Sequence, residues 1–255
     1  MSDTFGLVIP AFDPDLRQMV DYVCSLQETF ENDIEIRIEL DSPRKNIEQR
    51  LGDIPVTLNI ASYRRGKGAA ITDGWEAMDT DILAFADADG STPAVEVKSI
   101  LEDVATGGTD LSIGSRRHPD ATVHTNQTYG RRYMGDTFAW LARTVLGMDI
   151  YDYQCGAKAI SLEAWKKVRT DVHESGFAWD IELIAMANVH GFRINEVPID
   201  WYDKPGSTVD PVRTSIDLLR ALLSVRYRAK RIHGSFLYEI IGKAFKTSPP
   251  LVHRE

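Results

Sequence analysis

The stretch Ile82-Leu83-Ala84-Phe85-Ala86-Asp87-Ala88-Asp89-Gly90-Ser91-Thr92-Pro93 holds the strongest pattern in this sequence. Five apolar residues followed by a cluster of Gly, Ser and Pro are typical of a buried strand that ends in a turn. Asp87 and Asp89 stand where that strand ends, and side chains two residues apart share one face of an extended chain. Two hard oxygen ligands there favour a divalent cation that holds a diphosphate. Asp-x-Asp-Gly is also ordinary turn chemistry, so this stretch alone leaves both interpretations open.

Strands and helices alternate around this stretch up to about residue 115. Such alternation is typical of a mostly parallel central sheet flanked by helices, in which ligands bind beyond the carboxyl ends of the strands. The first strand is expected to end at Pro10. The sequence predicts strands at 5–9, 34–40, 56–60, 82–87 and 111–113, and helices through 16–26, 71–78 and 94–104.

The second half of the chain is less regular. The pattern predicts a loop at 116–127, helices at 129–146 and from 177 to Gly191, an extended segment at 152–160, and strand pieces at 192–198 and 199–202. No segment has the composition of a linker. We therefore expect an α/β domain at 1–210 and a C-terminal helical extension at 211–255.

Composition and charge narrow the class of protein. The chain has 255 residues, 43% of them hydrophobic, and a net charge of −9, which argues against general nucleic-acid binding. Its two cysteines, Cys24 and Cys155, lie far apart, which suits a reducing compartment better than a disulfide framework. The sequence has no apolar run of membrane-spanning length and no signal-peptide pattern at residues 1–4. We therefore expect a cytoplasmic protein.

Two well-known phosphate-binding motifs are missing from the sequence. The G-x-G-x-x-G fingerprint does not follow the first strand, which argues against a dinucleotide dehydrogenase, and the P-loop is also absent. Gly66-Lys67-Gly68 instead precedes a predicted helix, where free backbone N–H groups and the charge of Lys67 favour an anion. An ordinary flexible turn is the alternative interpretation.

Seven short motifs follow one another within residues 5 to 230. They are Val8-Ile9-Pro10-Ala11-Phe12, Arg65-Gly66-Lys67-Gly68-Ala69-Ala70, Phe85-Ala86-Asp87-Ala88-Asp89, Ile113-Gly114-Ser115-Arg116, Asp152-Tyr153-Gln154-Cys155-Gly156, Gly176-Phe177-Ala178-Trp179-Asp180-Ile181-Glu182 and Gly191-Phe192-Arg193-Ile194-Asn195-Glu196-Val197-Pro198. In this order they resemble the family 2 inverting glycosyltransferases of the GT-A fold, and most of all the dolichyl-phosphate mannose and glucose synthases.

The resemblance implies a donor site for a GDP- or UDP-hexose. Asp87 and Asp89 would hold Mg²⁺ or Mn²⁺ on the diphosphate. The residues implied along the nucleotide and the donor are Pro10, Ala11, Phe12, Asp41 and Lys67. Three places depart from the family pattern: Pro14 stands where a carboxylate is usual, Leu40-Asp41-Ser42-Pro43 stands where the second strand usually ends in Asp-Asp-Gly-Ser, and Ser91 stands where some synthases have a Gln. These departures leave the nucleotide base open.

The resemblance also implies a polyprenyl phosphate acceptor. Arginine binds phosphate oxygens in a bidentate way, although Arg131 and Arg132 also fit as solvated residues at a helix start. The residues implied at the acceptor phosphate are Ser115, Arg116, and Arg131 or Arg132. An ionised lipid phosphate needs no general base, whereas a sugar hydroxyl would require a carboxylate. Asp180 and Glu182 are the candidates for that role, and they also suit a helix N-terminus by charge. The residues expected to be catalytic are Asp180, Asp89 and Arg116.

The C-terminal stretch is basic, with nine Lys and Arg against three Asp and Glu from Pro211 to Glu255. Its predicted apolar stripe is Ile216, Leu219, Leu222, Leu223 and Val225, with Phe236 to Ile241 beyond, surrounded by Arg213, Arg220, Arg226, Arg228, Lys230 and Arg231. A basic amphipathic helix can lie on an anionic bilayer, which suits a peripheral enzyme with a lipid acceptor. Packing of this helix on the domain is the alternative.

These expectations describe metal-assisted hexose transfer with inversion, most simply to polyprenyl (dolichyl) phosphate. Two other classes stay open. Asp87-Ala88-Asp89-Gly90-Ser91 also resembles the start of haloacid-dehalogenase-type phosphatases, in which the first Asp is a nucleophile. That motif normally follows the first strand of its sheet, whereas three strands are predicted before it here. The altered motif after Asp41 also suits a nucleotide-sugar binder without catalytic activity.

Overall fold

The computed structural model describes residues 3–42, 55–124, 129–204, 211–232 and 249–254, except for the side chains of 129–134 and 211–217. The strands in these ranges are β1 (Phe5–Phe12), β2 (Glu35–Asp41), β3 (Thr57–Ala61), β4 (Ile82–Ala86), β5 (Leu111–Ser115), β6 (Thr122–His124), β7 (Ala157–Ser161), β8 (Ile194–Pro198) and β9 (Asp200–Tyr202). The helices are α1 (Leu16–Thr29), α2 (Lys67–Glu76), α3 (Ala94–Ala105), α4 (Tyr129–Leu146), α5 (Leu162–Val168), α6 (Trp179–Val189) and α7 (Pro211–Ile232), with short 3₁₀ turns at Arg169–Asp171 and Leu251–His253.

Seven strands form the central sheet in the order β3-β2-β1-β4-β7-β5-β8, and β6 pairs with β9 in a separate two-stranded sheet. Strand β7 runs antiparallel to β4 and β5, while the other pairs of the central sheet are parallel. The prediction of a mostly parallel sheet with flanking helices is confirmed. Strand order reverses between β1 and β4, so the crevice at their carboxyl ends is the expected place for a ligand.

The two faces of the central sheet pack against separate apolar clusters, as the alternation of side chains along a strand requires. One cluster contains an aromatic group of Trp75, Phe85, Trp165 and Trp179, whose closest ring centroids, those of Trp75 and Trp165, are 4.9 Å apart. The indole N–H of Trp75 donates to the Ala84 carbonyl at 2.9 Å, and that of Trp179 donates to Thr72 Oγ1 at 3.1 Å. These contacts fix α2 and α6 relative to β4.

Some predicted element boundaries are wrong. Pro10 does not end the first strand, because β1 pairs with β4 from Phe5 to Val8 but with β2 as far as Phe12. Proline is tolerated there because it lies beyond the pairing with β4. The predicted loop at 116–127 contains β6, and the predicted extended segment at 152–160 is a strand from Ala157 only.

Helix α7 packs on the domain through one face. This face belongs to the apolar cluster that contains the aromatic group. Its buried side chains are Leu218, Ala221, Leu222 and Val225. Leu223 remains 56% exposed. Arg228, predicted among the surface basic residues, is instead 8% exposed and paired with Glu174 and Glu182. Residues 236–241 of the predicted stripe and the side chains of Arg213 and Ile216 lie outside the described residues. No helix within the described ranges combines the length and apolar character needed to cross a membrane.

Candidate active site

Two carboxylates lie at the carboxyl end of β4, at the reversal of strand order. Asp87 carries a carboxyl group that is 43% exposed, and its backbone N–H donates to the Gly156 carbonyl at 2.8 Å. Asp89 Oδ1 accepts the backbone N–H of Ser91 at 2.9 Å, which stabilises the turn. The turn and the carboxylate pair predicted from the sequence therefore coexist.

A chain of alternating charges runs inward from Asp87. Lys67 Nζ lies 2.9 Å from Asp87 Oδ1 and 3.2 Å from Asp180 Oδ2. Lys158 Nζ lies 2.8 Å from Asp180 Oδ1, so the two oxygens of this buried carboxylate each contact a different ammonium group. The ring of Phe85 lies 4.8 Å from Lys67 Nζ and 5.5 Å from Lys158 Nζ. We call Lys67, Asp180 and Lys158 the lysine bridge.

The electrostatics of this corner keep Lys67 charged. Burial alone would lower the pKa of Lys67, but Asp180 and Asp87 hold it above its usual value. Burial raises the pKa of the Asp87 carboxyl, Lys67 opposes that shift, and the negative charge of Asp89 adds to it. A cation bound between the two carboxylates would favour their ionised forms.

The carboxylate pair fits a divalent cation that is shared with a phosphate-bearing ligand. Mg²⁺ is commonly held by one or two carboxylates, substrate phosphates and water. Within the described part of the chain, no three His, Cys, Asp or Glu side chains gather into a metal-binding group. Asp87 and Asp89 are the two residues here that would hold such an ion, with a phosphate-bearing ligand and water completing its shell.

Two glycines make the close approaches in this corner possible. A Cβ atom at Gly156 would overlap with the carboxyl group of Asp87, and one at Gly68 would overlap with the side chain of Trp179. Glycine at these positions therefore lets β7 and α2 approach the site. The Gly66-Lys67-Gly68 segment begins α2, as predicted.

The residues predicted along the nucleotide lie at the ends of β1 and β2. Phe12 is 39% exposed, with the guanidinium carbon of Arg64 4.0 Å from its ring centroid, whereas the neighbouring Ala11 is buried beside Pro10. Asp41 Oδ1 accepts from Arg65 Nε at 2.8 Å, and Asp41 Oδ2 accepts from the Gly66 N–H at 3.0 Å. Asp41 thus anchors the segment that presents Lys67.

The residues predicted at the acceptor phosphate are not all placed alike. Arg116 binds Asp152 through both arms of its guanidinium group, at 2.6 and 2.9 Å. Burial alone would raise the pKa of Asp152, but Arg116, Arg117 and Lys158 hold it well below its usual range. The side chain of Ser115 is buried. The side chains of Arg131 and Arg132, on α4, lie outside the described residues.

A cavity of about 600 Å³ opens beside Arg116, and we call it the arginine cavity. It combines guanidinium groups with aromatic rings, which suits an anionic headgroup attached to an apolar chain. Trp140 is 64% exposed there. Arg117 lies between Asp152, at 3.3 Å, and Asp136, at 3.2 Å. The arginines and tryptophans in its lining are Arg116, Arg117, Arg143, Trp140 and Trp201.

The two acidic residues at the start of α6 differ in their surroundings. Asp180 is 2% exposed and is held by the two lysines described above. Glu182 is fully buried, accepts the backbone N–H groups of His173 and Glu174, and lies 2.6 Å from Arg228 Nη2. Burial raises the pKa of Glu182 to about 7, while Arg228 and the two N–H groups oppose that shift.

Comparison with known proteins connects this geometry to a family. The model of glycosyl transferase family 2 matches residues 7–166. The chain belongs to that family. Glycosyltransferase AglD of Haloferax volcanii is 37% identical over 196 residues, which cover 72% of this chain and 31% of AglD. Dolichyl-phosphate beta-glucosyltransferase of Saccharomyces cerevisiae is 27% identical over 248 residues, covering 87% of this chain and 73% of that protein.

A third relative and a solved structure are also similar to this chain. Polyprenol monophosphomannose synthase of Mycolicibacterium smegmatis is 32% identical over 145 residues, covering 55% of this chain and 54% of that protein. Glucosyl-3-phosphoglycerate synthase from Mycobacterium tuberculosis, in complex with Mn²⁺, UDP-glucose and phosphoglyceric acid, superposes with a TM-score of 0.64 at 16% identity, covering 88% and 80% of the two chains. The predicted GT-A fold is confirmed. The chain spans about a third of the length of AglD.

Three charged residues that lie among the predicted site residues were not predicted. Arg117, Asp152 and Lys158 have no predicted role, although Asp152 opens one of the motifs quoted above. A lysine between Ala157 and Ala159, in an otherwise apolar strand, is the signal that was available.

Proposed function

We propose that this chain transfers a hexose from a GDP- or UDP-sugar to a polyprenyl phosphate, with inversion and with the help of Mg²⁺ or Mn²⁺. The main support is that one segment links the arginine cavity to the carboxylate pair: Asp152 binds Arg116 of the cavity, and the carbonyl of Gly156, four residues on, accepts the backbone N–H of Asp87. The names of the dolichyl-phosphate and polyprenol relatives support the same acceptor class.

The donor would lie across the carboxyl ends of β1 and β4. Asp87 and Asp89 would hold the metal, which would supply positive charge to the leaving diphosphate. Lys67 presents its ammonium group 2.9 Å from Asp87 and stabilises the charge that develops as the bond between sugar and diphosphate breaks. Phe12 would contact the nucleotide base. Asp41 would hold the segment that presents Lys67, because it accepts the backbone N–H of Gly66.

The acceptor phosphate would enter the arginine cavity and attack the anomeric carbon from the face opposite the diphosphate. Arg117 and Arg143 are its proposed partners in the lining of the cavity. Arg117 contacts Asp136 and Asp152 at 3.2 and 3.3 Å, longer than the 2.6 and 2.9 Å bonds of Arg116 to Asp152, and Arg143 is bound through Nε to the Ile150 carbonyl at 2.7 Å. Trp140 and Trp201 would contact the first isoprene units. An ionised phosphate attacks without a base, which agrees with Asp180 and Glu182 being buried and paired.

The remaining expectations stay predictions. Ser115, Arg116, and Arg131 or Arg132 are predicted at the acceptor phosphate from the family resemblance. The division into a catalytic domain at 1–210 and a basic extension at 211–255 is also a proposal, as are a cytoplasmic location and peripheral contact with an anionic membrane. The exposed Leu223 of α7 supports that contact.

A transfer assay tests the proposed function. The purified chain is incubated with Mn²⁺, polyprenyl phosphate and one radiolabelled nucleotide sugar at a time, and label is counted in the lipid phase. We expect one donor to label the lipid and EDTA to stop the reaction. Nucleotide-sugar binding without transfer would favour the binder, and release of phosphate from simple phosphate esters would favour the phosphatase.

A further inference from the structure

Lys158 is a lysine in the middle of the central sheet. It belongs to β7, which pairs with β4 on one side and β5 on the other, and its side chain is fully buried. Its register partner on β4 is Phe85. A buried ammonium group is costly unless it is paired and hydrogen-bonded, and an apolar residue would fill the same space without that cost. Packing therefore gives no reason for a lysine here.

The contacts of Lys158 lead toward the donor site. Its ammonium group donates to the Cys155 carbonyl at 2.8 Å and to Asp180 Oδ1 at 2.8 Å. Asp180 Oδ2 in turn lies 3.2 Å from Lys67 Nζ. Lys158 thus occupies one oxygen of Asp180 and leaves the other directed at Lys67.

We infer that Lys158 is a positioning residue, which acts through Asp180 to hold the ammonium group of Lys67 beside Asp87. This inference rests on the proposed function, in which Lys67 stabilises the leaving diphosphate. Without Lys158, both oxygens of Asp180 become available to Lys67 and draw its ammonium group inward, away from Asp87. Charge stabilisation depends on donors that are already in place when the charge develops.

Three variants separate positioning from packing: Lys158→Met, Asp180→Asn and the double variant that carries both. Asp180→Asn leaves Lys158 buried beside a neutral amide, so it should lower the melting temperature most. The double variant removes both buried charges, so most of that stability should return. Lys98→Met is the matched control, because Lys98 lies on α3 and contacts the carbonyl of Thr29 rather than the site.

We expect all three variants to lose at least about tenfold in kcat, with the KM for the donor within about threefold of wild type. The double variant excludes instability as the cause of the loss, because stability should recover in it while kcat stays low through the loss of Asp180. Recovery of kcat together with stability would overturn the inference, since a residue needed only for packing behaves in that way. Unchanged kcat in Lys158→Met would overturn it as well.

A crystal structure of Lys158→Met tests the same link without any activity. We expect Lys67 Nζ to move away from Asp87 by about 1 Å or more, a displacement that can cost two orders of magnitude in rate. Unchanged positions of Lys67 and Asp180 would overturn the inference. If the wild-type chain labels no lipid with any donor, the proposed function fails, and this structural result still decides whether Lys158 positions Lys67.

Discussion

The lysine bridge and the arginine cavity both contain cations, but they differ in burial and partners. Asp180 is 2% exposed, and its two oxygens contact two lysines. In the arginine cavity, Arg117 has a side chain that is 26% exposed, and Trp140 is 64% exposed. Charges fixed in a buried site stabilise the charge that develops in a transition state more strongly than charges in water do. Partly solvated charges contribute mainly to ligand binding. We therefore expect substitutions near the lysine bridge to change rate or stability, and those in the cavity to change acceptor affinity.

The largest expected effect comes from the metal pair. Asp89→Ala should lower transfer by at least about a thousandfold, because the proposed metal ion loses one of its two protein ligands and no longer stabilises the donor diphosphate. The melting temperature should change little, because Asp89 stabilises only a surface turn. Label in the lipid phase measures the first effect and thermal unfolding the second. Asp79→Ala, an exposed position before β4, is the control, and undiminished transfer by Asp89→Ala would exclude the metal role.

The second effect concerns stability and belongs to the buried side of the comparison. Burial raises the pKa of Glu182 from 4.5 to about 7. Between these values the folded chain binds this proton more tightly than the unfolded chain, so the contribution of Glu182 to stability falls as pH rises. Across this pH range the contribution of Glu182 to the free energy of unfolding falls by about 3 kcal/mol.

Glu182→Gln isolates that contribution, because the amide oxygen can still accept the N–H groups of His173 and Glu174 but does not titrate. Urea unfolding at several pH values should show the wild-type free energy of unfolding dropping relative to the variant from pH 4.5 to above 7. If the free energy of unfolding of the wild type instead rises with pH relative to the variant, Arg228 lowers the pKa of Glu182 by more than burial raises it.

The third effect tests the close approach of β7 to the carboxylate pair. Gly156→Ala adds a Cβ atom that overlaps with the carboxyl group of Asp87, so either Asp87 or the strand must shift. We expect kcat/KM for the donor to fall about thirtyfold, which corresponds to about 2 kcal/mol. Gly108→Ala is the control, because a Cβ atom there meets only Thr106 Oγ1, at 3.6 Å. Equal activity of the two variants would show that Asp87 can move away from the added Cβ atom without loss of activity.

The sequence predicts the frame of the site better than its internal connections. The apolar run before Asp87, the glycines around Lys67 and the start of α6 at Trp179 place three site segments on recognisable elements. Their meeting follows from a parallel sheet, because the carboxyl ends of its strands share one edge. Lys67, Asp87 and Asp180 are accordingly both predicted and found together.

Long-range pairing decides what the sequence does not reveal. The insertion of β7 between β4 and β5 brings Lys158 to Asp180, 22 residues away, and places Gly156 against Asp87. Arg116 is predicted at the acceptor phosphate, and Asp152, 36 residues further on, accepts two hydrogen bonds from its guanidinium group. No periodicity or local propensity reports such a partner, since the contact exists only after the strands have paired.

The smallest expected effect comes from a substitution in the arginine cavity. Arg117 shares its charge between Asp136 and Asp152, and it lines the cavity proposed for the acceptor phosphate. Arg117→Gln should raise the KM for polyprenyl phosphate about tenfold, while kcat and the KM for the donor stay within about twofold, because a partly exposed cation contributes mainly to binding.

Arg193→Gln is the matched control for Arg117→Gln, since Arg193 pairs with Asp110 before β5 and is 59% exposed. Steady-state kinetics with each substrate varied in turn separates the two sides of the site. A fall in kcat without a change in acceptor KM would contradict the comparison, because Arg117 would then act on the reacting groups as Lys67 is proposed to do. A rise in acceptor KM alone would assign phosphate capture to the cavity and leaving-group stabilisation to the lysine bridge.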